Sequence, residues 1–126
     1  ANSVKLAMNL QITMLALSLA EGITLVKNAG VDPKIFLEIL NSTYFKTGMS
    51  EKKAFKMIDG KYDTTFTLSN LKKDITTMTN TAKSMGIELP MLKKAEEVYE
   101  NAIREGFGDI DYTGIIEYIK KINDKN

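Results

Sequence analysis

The hydrophobic pattern begins with one long segment in which apolar residues occupy nearly every helical face. This pattern covers residues 4–26 and predicts a helix surrounded by protein. The helix is expected to end at residues 28–30, because Gly30 can adopt the left-handed conformation that closes a helix. Asp32 and Pro33 then suit the N-cap and first turn of a second helix. Its predicted buried stripe is Ile35, Phe36, Ile39 and Leu40.

Four further segments have helical periodicity, and glycine or proline residues separate them. They are predicted over residues 50–58, from about 68 to 85, 90–105 and 112–124. Only the stretch TTFTL has β character, and five residues without a partner cannot form a sheet. The sequence therefore predicts an all-α domain of about six helices around a long, central, buried first helix.

Composition is that of an ordinary globular domain. The 126 residues are 44% apolar and 26% charged. Since 17 Lys and Arg residues oppose 16 Asp and Glu residues, charge favours neither nucleic acid nor an anionic membrane as a partner. The uncharged run over residues 6–20 is too short for a membrane span and contains four polar residues. With no signal-peptide pattern, a cytoplasmic location is expected.

The missing residue types narrow the possible chemistry. The chain has no Cys and no His, which removes thiolate nucleophiles, the commonest metal ligand and the usual general base. No metal site is expected. Acid-base work would fall to Lys, Tyr, Asp or Glu, and a lysine in that role needs its pKa lowered by burial or positive neighbours. No glycine-rich phosphate loop follows a strand, so no complete nucleotide site is predicted.

Three polar clusters could carry function. Lys5 and Asn9 are one turn apart and therefore share a helix face. Without further evidence, Lys5 is most simply a solvated lysine in the first turn of the helix. Asn9 must find a hydrogen-bond partner if it is buried. The second cluster is FTLSNLKKDI, which could equally be a core phenylalanine and a solvated charge pair. In the third, FGDIDYTGIIE, Asp109 or Asp111 is expected to cap a helix while Tyr112 packs.

The order and spacing of five stretches resemble the C-terminal domain of the β-hydroxyacid dehydrogenase family. That family includes 3-hydroxyisobutyrate dehydrogenases and the tartronate semialdehyde and glyoxylate/succinic semialdehyde reductases. Its C-terminal domain has the fold of the 6-phosphogluconate dehydrogenase C-terminal domain. The stretches are KLAMN, AGVDPKIFLEIL, FTLSNLKKDI, GIELPMLKKAEEVYENA and GFGDIDYTGII, and together they cover nearly the whole chain.

The resemblance implies a role for five residues. Lys5 would be the catalytic general acid/base, and Asn9 would bind the substrate. Phe66 and Asp74 would line or brace the substrate pocket, and Lys73 would contact the nicotinamide cofactor. The sequence departs from the family at Met8, where many members carry a second Asn.

The resemblance also implies what the chain is part of. Residues 1–126 would be the helical substrate and oligomerisation domain of an NAD- or NADP-dependent enzyme that interconverts a small β-hydroxyacid and its semialdehyde. The N-terminal Rossmann domain, which discriminates NAD from NADP, is absent from these residues, so the chain alone should be inactive. Expected partners are this Rossmann domain, the substrate and a second copy.

Two alternatives stay open, namely a noncatalytic helical interaction module and a relative of the imine reductases. A lysine at position 5 argues against the latter, because imine-reducing relatives typically carry another residue there.

Overall fold

Seven α-helices and one 3-10 turn make up the computed structural model, which describes residues 2–124. The helices are α1 (Asn2–Asn28), α2 (Pro33–Asn41), α3 (Gly48–Lys52), α4 (Ala54–Asp59), α5 (Leu68–Ser84), α6 (Pro90–Arg104) and α7 (Ile115–Asn123), with the 3-10 turn over Tyr112–Gly114. Within residues 2–124 the β-structure is limited to one isolated bridge between Thr67 and Asp111. The all-α prediction is confirmed. The proposed domain limits, residues 1 and 126, lie outside the described residues.

Helix α1 is central to the fold, as predicted, but it is buried along one face only. It contacts every other helix and the 3-10 turn. The open side carries apolar residues, and Val4, Met8 and Leu25 are 63%, 60% and 71% exposed. The prediction of a helix enclosed by protein is therefore wrong for this chain alone, because the other helices pack on one side of α1. The buried face consists of Thr13, Ala16, Leu19, Ala20 and Ile23.

By length and composition, α1 is also apolar enough to cross a membrane. Its most apolar 18-residue window has a mean hydropathy of 1.4, and 28% of that window is buried. The central helix of a soluble domain has the same composition, and α1 occupies that position against α5 and α7. Hydropathy alone therefore does not indicate a membrane span.

The loop between α1 and α2 follows the local sequence closely. Gly30 has φ of 85°, and the Val31 N–H donates to the Val26 carbonyl at 2.9 Å, which closes α1. Asp32 caps α2 by accepting a hydrogen bond from the Lys34 N–H at 3.0 Å. These caps fix the direction in which the chain leaves the central helix.

The predicted buried stripe of α2 is wrong at two positions. Leu37 is the fully buried residue of this helix, whereas Ile35 and Ile39 are 50% and 60% exposed. The contacts of α2 with α1, α3 and α4 cover the Leu37 face. Phe36 packs close to Gly22 of α1, where a β-carbon would lie 3.2 Å from its ring.

The predicted helix over residues 50–58 is divided into α3 and α4. A capping box begins α3 earlier than predicted: the Ser50 N–H donates to Thr47 Oγ1 at 3.0 Å, and the Thr47 N–H donates to Ser50 Oγ at 2.8 Å. The division falls at Lys53, where φ is −115°. Ala54 and Met57 of α4 are both fully buried in the core.

One core residue carries an unsatisfied polar group. Tyr99 of α6 is fully buried, and its hydroxyl has no hydrogen-bond partner among residues 2–124. Burial raises the pKa of the Tyr99 phenol, so the group stays a neutral, unpaired donor. A buried hydroxyl in this state is destabilising.

We therefore expect Tyr99→Phe to raise the free energy of unfolding by about 1 kcal/mol. The measurement is urea denaturation of both proteins at one concentration. Tyr44→Phe is the matched control, because Tyr44 is 96% exposed and its replacement should change nothing. A loss of stability in Tyr99→Phe would show that the hydroxyl has a partner.

Candidate functional site

Asn9 and Asp74 form the polar contact that joins α1 to α5. The Asn9 side-chain amide donates from Nδ2 to Asp74 Oδ2 at 3.2 Å, and both residues are partly buried. They are 65 positions apart in the sequence. The expectation that a buried Asn9 needs a partner is thus met by a second residue of the predicted site.

Lys5 lies one turn before Asn9 on the same face of α1 and is exposed. Among residues 2–124 no hydrogen bond or ion pair engages its ammonium group. The described residues leave the Lys5 side chain unburied, whereas burial is one of the two ways in which an acid-base lysine is activated. The Lys5 side of the site is therefore open to solvent.

Lys73 and Asp74 are adjacent on α5 but differ in exposure. Lys73 is exposed, whereas Asp74 is half-buried against α1. Adjacent helical positions point about 100° apart, so Lys73 is directed away from the Asn9 contact and toward solvent. The structure brings Asp74 into contact with the Lys5 helix and leaves Lys73 free at its border.

Phe66 is held by the 108–112 segment, which runs beside the start of α5. The Tyr112 N–H donates to the Phe66 carbonyl at 2.9 Å, and the Leu68 N–H donates to the Ile110 carbonyl at 2.8 Å. The Phe66 and Tyr112 rings also meet edge to face, with centroids 6.0 Å apart. The position of Phe66 is thus set by a segment more than forty residues away in sequence.

Two features keep the 108–112 segment in place. Asp111 is buried and accepts hydrogen bonds from the Thr113 N–H at 3.2 Å and the Thr113 hydroxyl at 2.5 Å. Of the two aspartates proposed as caps, Asp111 therefore has this role, and Asp109 is exposed. Gly108 allows a close approach, because a β-carbon there would lie 2.5 Å from Ser69 Oγ and the serine side chain would have to move.

A tyrosine also anchors the loop that leads into Phe66. The Tyr62 hydroxyl donates to Glu117 Oε2 of α7 at 2.6 Å. Burial, followed by this hydrogen bond and the Glu117 charge, raises the pKa of the Tyr62 phenol. The phenol therefore stays protonated and keeps its donor role at physiological pH.

Lys53 and Tyr112 extend the Phe66 cluster and were not among the predicted site residues. Lys53 Nζ lies 4.6 Å from the centroid of the Tyr112 ring, within cation–π range. Lys53 is at the division between α3 and α4, and nothing in the local sequence connects it with a tyrosine 59 positions later. Only the tertiary fold shows this contact.

Lys5, Asn9 and Asp74 provide an amine and an amide held by a carboxylate, which suit binding and protonation of a small polar molecule. Within residues 2–124, no hydrogen bond or aromatic contact joins Phe66 to these three residues. Among residues 2–124 no group of three His, Cys, Asp or Glu side chains could hold a metal ion. A cavity of about 530 Å³ lies elsewhere, between the C-terminal ends of α1 and α7.

Comparison with known proteins accounts for this one-sided arrangement. A family model described as "NAD-binding of NADP-dependent 3-hydroxyisobutyrate dehydrogenase" matches residues 1–119. The chain belongs to the 3-hydroxyisobutyrate dehydrogenase family. The family predicted from the five sequence stretches is therefore confirmed.

Relatives agree with the family assignment, and a solved structure has the same fold. The chain is 30% identical over 118 residues to glyoxylate/succinic semialdehyde reductase 2 of Arabidopsis thaliana, covering 94% of this chain and 33% of that protein. It is 31% identical over 117 residues to the cytokine-like nuclear factor N-PAC of Aedes aegypti, covering 90% of this chain and 21% of that protein. A 3-hydroxyisobutyrate dehydrogenase from Salmonella typhimurium shares the fold, with a TM-score of 0.85 at 22% identity over 92% of this chain and 41% of that chain.

The chain is thus similar to only part of each of these family members. It spans a third of the plant reductase and about two fifths of the bacterial structure. The helical domain of this family, as seen here, presents Lys5, Asn9 and Asp74 on one side without a second wall.

Proposed function

We propose that this chain is the helical C-terminal half of an NAD(P)-dependent oxidoreductase that interconverts a small β-hydroxyacid and its semialdehyde. The hydrogen bond between Asn9 and Asp74 is the observation that carries the proposal, because it joins two separately predicted site residues one turn from Lys5. Membership of the 3-hydroxyisobutyrate dehydrogenase family supports the reaction class.

In the proposed mechanism Lys5 moves the proton. A bound nicotinamide would supply or accept the hydride at the substrate carbon that carries the oxygen. The substrate oxygen must gain or lose a proton in the same step, and an amine within hydrogen-bond reach can exchange it. Substrate and a second domain closing over Lys5 would provide the desolvation that the exposed side chain lacks.

Asn9 orients the reacting groups. Its Nδ2 is engaged by Asp74 at 3.2 Å, which leaves the amide oxygen to accept a hydrogen bond from the substrate hydroxyl or the Lys5 ammonium. An amide has no useful pKa, so Asn9 cannot replace Lys5 in proton transfer. Asp74 acts through Asn9 by fixing which end of the amide faces the substrate.

Phe66 and Lys73 would border the same cleft. Phe66, held against Tyr112, supplies an apolar wall for the carbon skeleton of the substrate. Lys73, exposed beside Asp74, would contact the cofactor. The cofactor's pyrophosphate requires the glycine-rich turn between a strand and a helix of a Rossmann domain, so we assign most of the cofactor binding to that domain.

The 126-residue chain alone should therefore show neither cofactor binding nor turnover. We expect no NADH or NADPH binding by isothermal titration calorimetry at millimolar cofactor, because the described residues contain no strand–turn–helix phosphate site. A longer protein that joins this chain to a Rossmann domain should bind one of the two cofactors. Hydroxyacid oxidation by the 126-residue chain alone would contradict the proposal.

One alternative has support of its own. The relative from Aedes aegypti is named as a nuclear factor rather than an enzyme, so a noncatalytic helical module is a second candidate function. Turnover by the two-domain protein with a β-hydroxyacid separates the two candidates.

The same protein assayed with a ketone and an amine tests the imine reductase alternative, which the lysine at position 5 disfavours. Self-association and a cytoplasmic location remain predictions.

A further inference from the structure

Thr13 is a polar residue on the buried face of α1, where the other four buried residues are apolar. It is 0% exposed, and its hydroxyl donates to the Asn9 carbonyl at 2.9 Å. This hydrogen bond offsets the cost of burying a hydroxyl. Valine has nearly the same shape without the hydroxyl, so the packing of the core does not by itself require a threonine.

Thr13 continues the side of α1 that carries Lys5 and Asn9. The three residues are spaced by four positions and therefore stack along one face of the helix. Lys5 is exposed, Asn9 is partly buried and Thr13 is fully buried. The Thr13 hydroxyl thus contacts the candidate site from the side of the core.

The position of the Thr13 hydroxyl affects the turn of α1 on which Asn9 lies. In an α-helix the carbonyl of residue 9 already accepts the N–H of residue 13. A threonine hydroxyl that bonds the same carbonyl is a second donor to it, which slightly destabilises a helix and often bends it. The backbone that carries the Asn9 side chain is therefore the part of α1 that Thr13 influences.

The contact between Asn9 and Asp74 is sensitive to such a change. Its length is 3.2 Å, at the long end of the range of about 2.7–3.2 Å for N–H···O hydrogen bonds. Because the two residues lie on different helices, a small rotation of the Asn9 turn lengthens the bond further. The direction of the Asn9 side chain therefore decides whether Asp74 can hold its amide.

Thr24 makes the same kind of bond elsewhere on α1. Its hydroxyl donates to the Ala20 carbonyl at 2.8 Å. Ala20 is buried and has no polar side chain to orient. The two threonines therefore differ in the residue whose backbone they contact, which makes Thr24 a matched control for Thr13.

We propose that Thr13 is a positioning residue, whose hydroxyl directs the Asn9 side chain toward Asp74 through its bond to the Asn9 carbonyl. This inference rests on the proposed function, in which the Asn9 amide oxygen meets the substrate hydroxyl or the Lys5 ammonium. Thr13 acts only through Asn9 and does not contact the substrate. Its hydroxyl serves the geometry of the site and does not add stability to the fold.

Hydrogen exchange of the Asn9 side-chain amide, followed by NMR in the 126-residue chain, tests the positioning directly. In Thr13→Val this exchange should be about 3- to 10-fold faster, which corresponds to the loss of one ordinary hydrogen bond. Thr13→Ser keeps the hydroxyl and should exchange at the wild-type rate, as should Thr24→Val. The urea midpoint of Thr13→Val should not fall, because the Asn9 carbonyl keeps its backbone donor.

Steady-state kinetics of the two-domain enzyme test the consequence for catalysis. Thr13→Val should lower kcat by about 10-fold, since small displacements of positioned groups have effects of this order or larger. Thr13→Ser and Thr24→Val should keep the wild-type kcat. In an Asn9→Ala background Thr13→Val should cause no further loss, because Thr13 acts through the missing side chain.

Two results would overturn the inference. One is an Asn9 amide that exchanges equally fast in the wild type and in Thr13→Val, whatever the activity. The other is turnover in which Thr13→Val keeps the wild-type kcat or in which Thr24→Val loses as much. A wild-type two-domain protein without turnover would instead contradict the proposed function, and the exchange rates would still decide whether Thr13 positions Asn9.

Discussion

Lys5→Ala in the two-domain enzyme is expected to lower kcat by about 10²- to 10⁴-fold, the usual contribution of a general acid/base. The fold should be unaffected, because Lys5 is exposed and makes no hydrogen bond or ion pair among residues 2–124. Stability should stay within about 0.5 kcal/mol of the wild type. The measurement is the steady-state rate with a β-hydroxyacid across pH, together with urea denaturation.

Lys27→Ala is the matched control for this substitution. Lys27 is also an exposed lysine of α1 but lies at the opposite end of the helix, so its replacement should leave kcat unchanged. A small primary amine added to Lys5→Ala should restore part of the rate if the amine is the proton carrier. Full turnover by Lys5→Ala would assign the general base to another residue.

Leu71→Ala is expected to lower the free energy of unfolding by about 2–5 kcal/mol. Leu71 is fully buried on α5, and its truncation leaves a cavity between α5 and the rest of the core. Because α5 also carries Asp74, the substitution should weaken the contact between Asp74 and Asn9. The measurement is the urea midpoint at a fixed protein concentration.

Ile39→Ala controls for the loss of apolar volume as such. Ile39 is 60% exposed, so its truncation should change the free energy of unfolding by less than about 0.5 kcal/mol. Equal effects of the two substitutions would mean that α5 is not packed as described.

Local sequence signals predicted the helix ends well. Gly30 and Asp32 act through the backbone of their immediate neighbours, and both have the predicted roles.

The division at Lys53 was not predicted, because the apolar spacing of residues 50–58 fits one helix as well as two. Ile35 and Ile39 show the limit of periodicity, since a short helix with apolar residues on two sides does not reveal which side the domain buries.

The sequence predicted which residues belong to the candidate site but not which contacts they make. Asn9 was expected to need a partner, yet nothing in the neighbouring sequence identifies Asp74 as that partner. The attachment of Phe66 to Tyr112 likewise depends on tertiary packing between distant segments. The exposure of apolar residues on one side of α1 was not predicted for a different reason. The sequence shows that the helix is apolar, but it does not show whether this domain or another molecule covers each face.

The attachment of Phe66 to residue 112 constrains the order of events during synthesis on the ribosome. The bridge between Thr67 and Asp111 cannot form until nearly the whole domain has been translated, and α1 packs extensively against α7, which follows later still. Of the seven helices, α1 is translated before the other six, so its apolar surface stays uncovered until α7 has been made and is an aggregation hazard. Translation that pauses before residue 115 would therefore leave α1 available to chaperones that bind apolar segments.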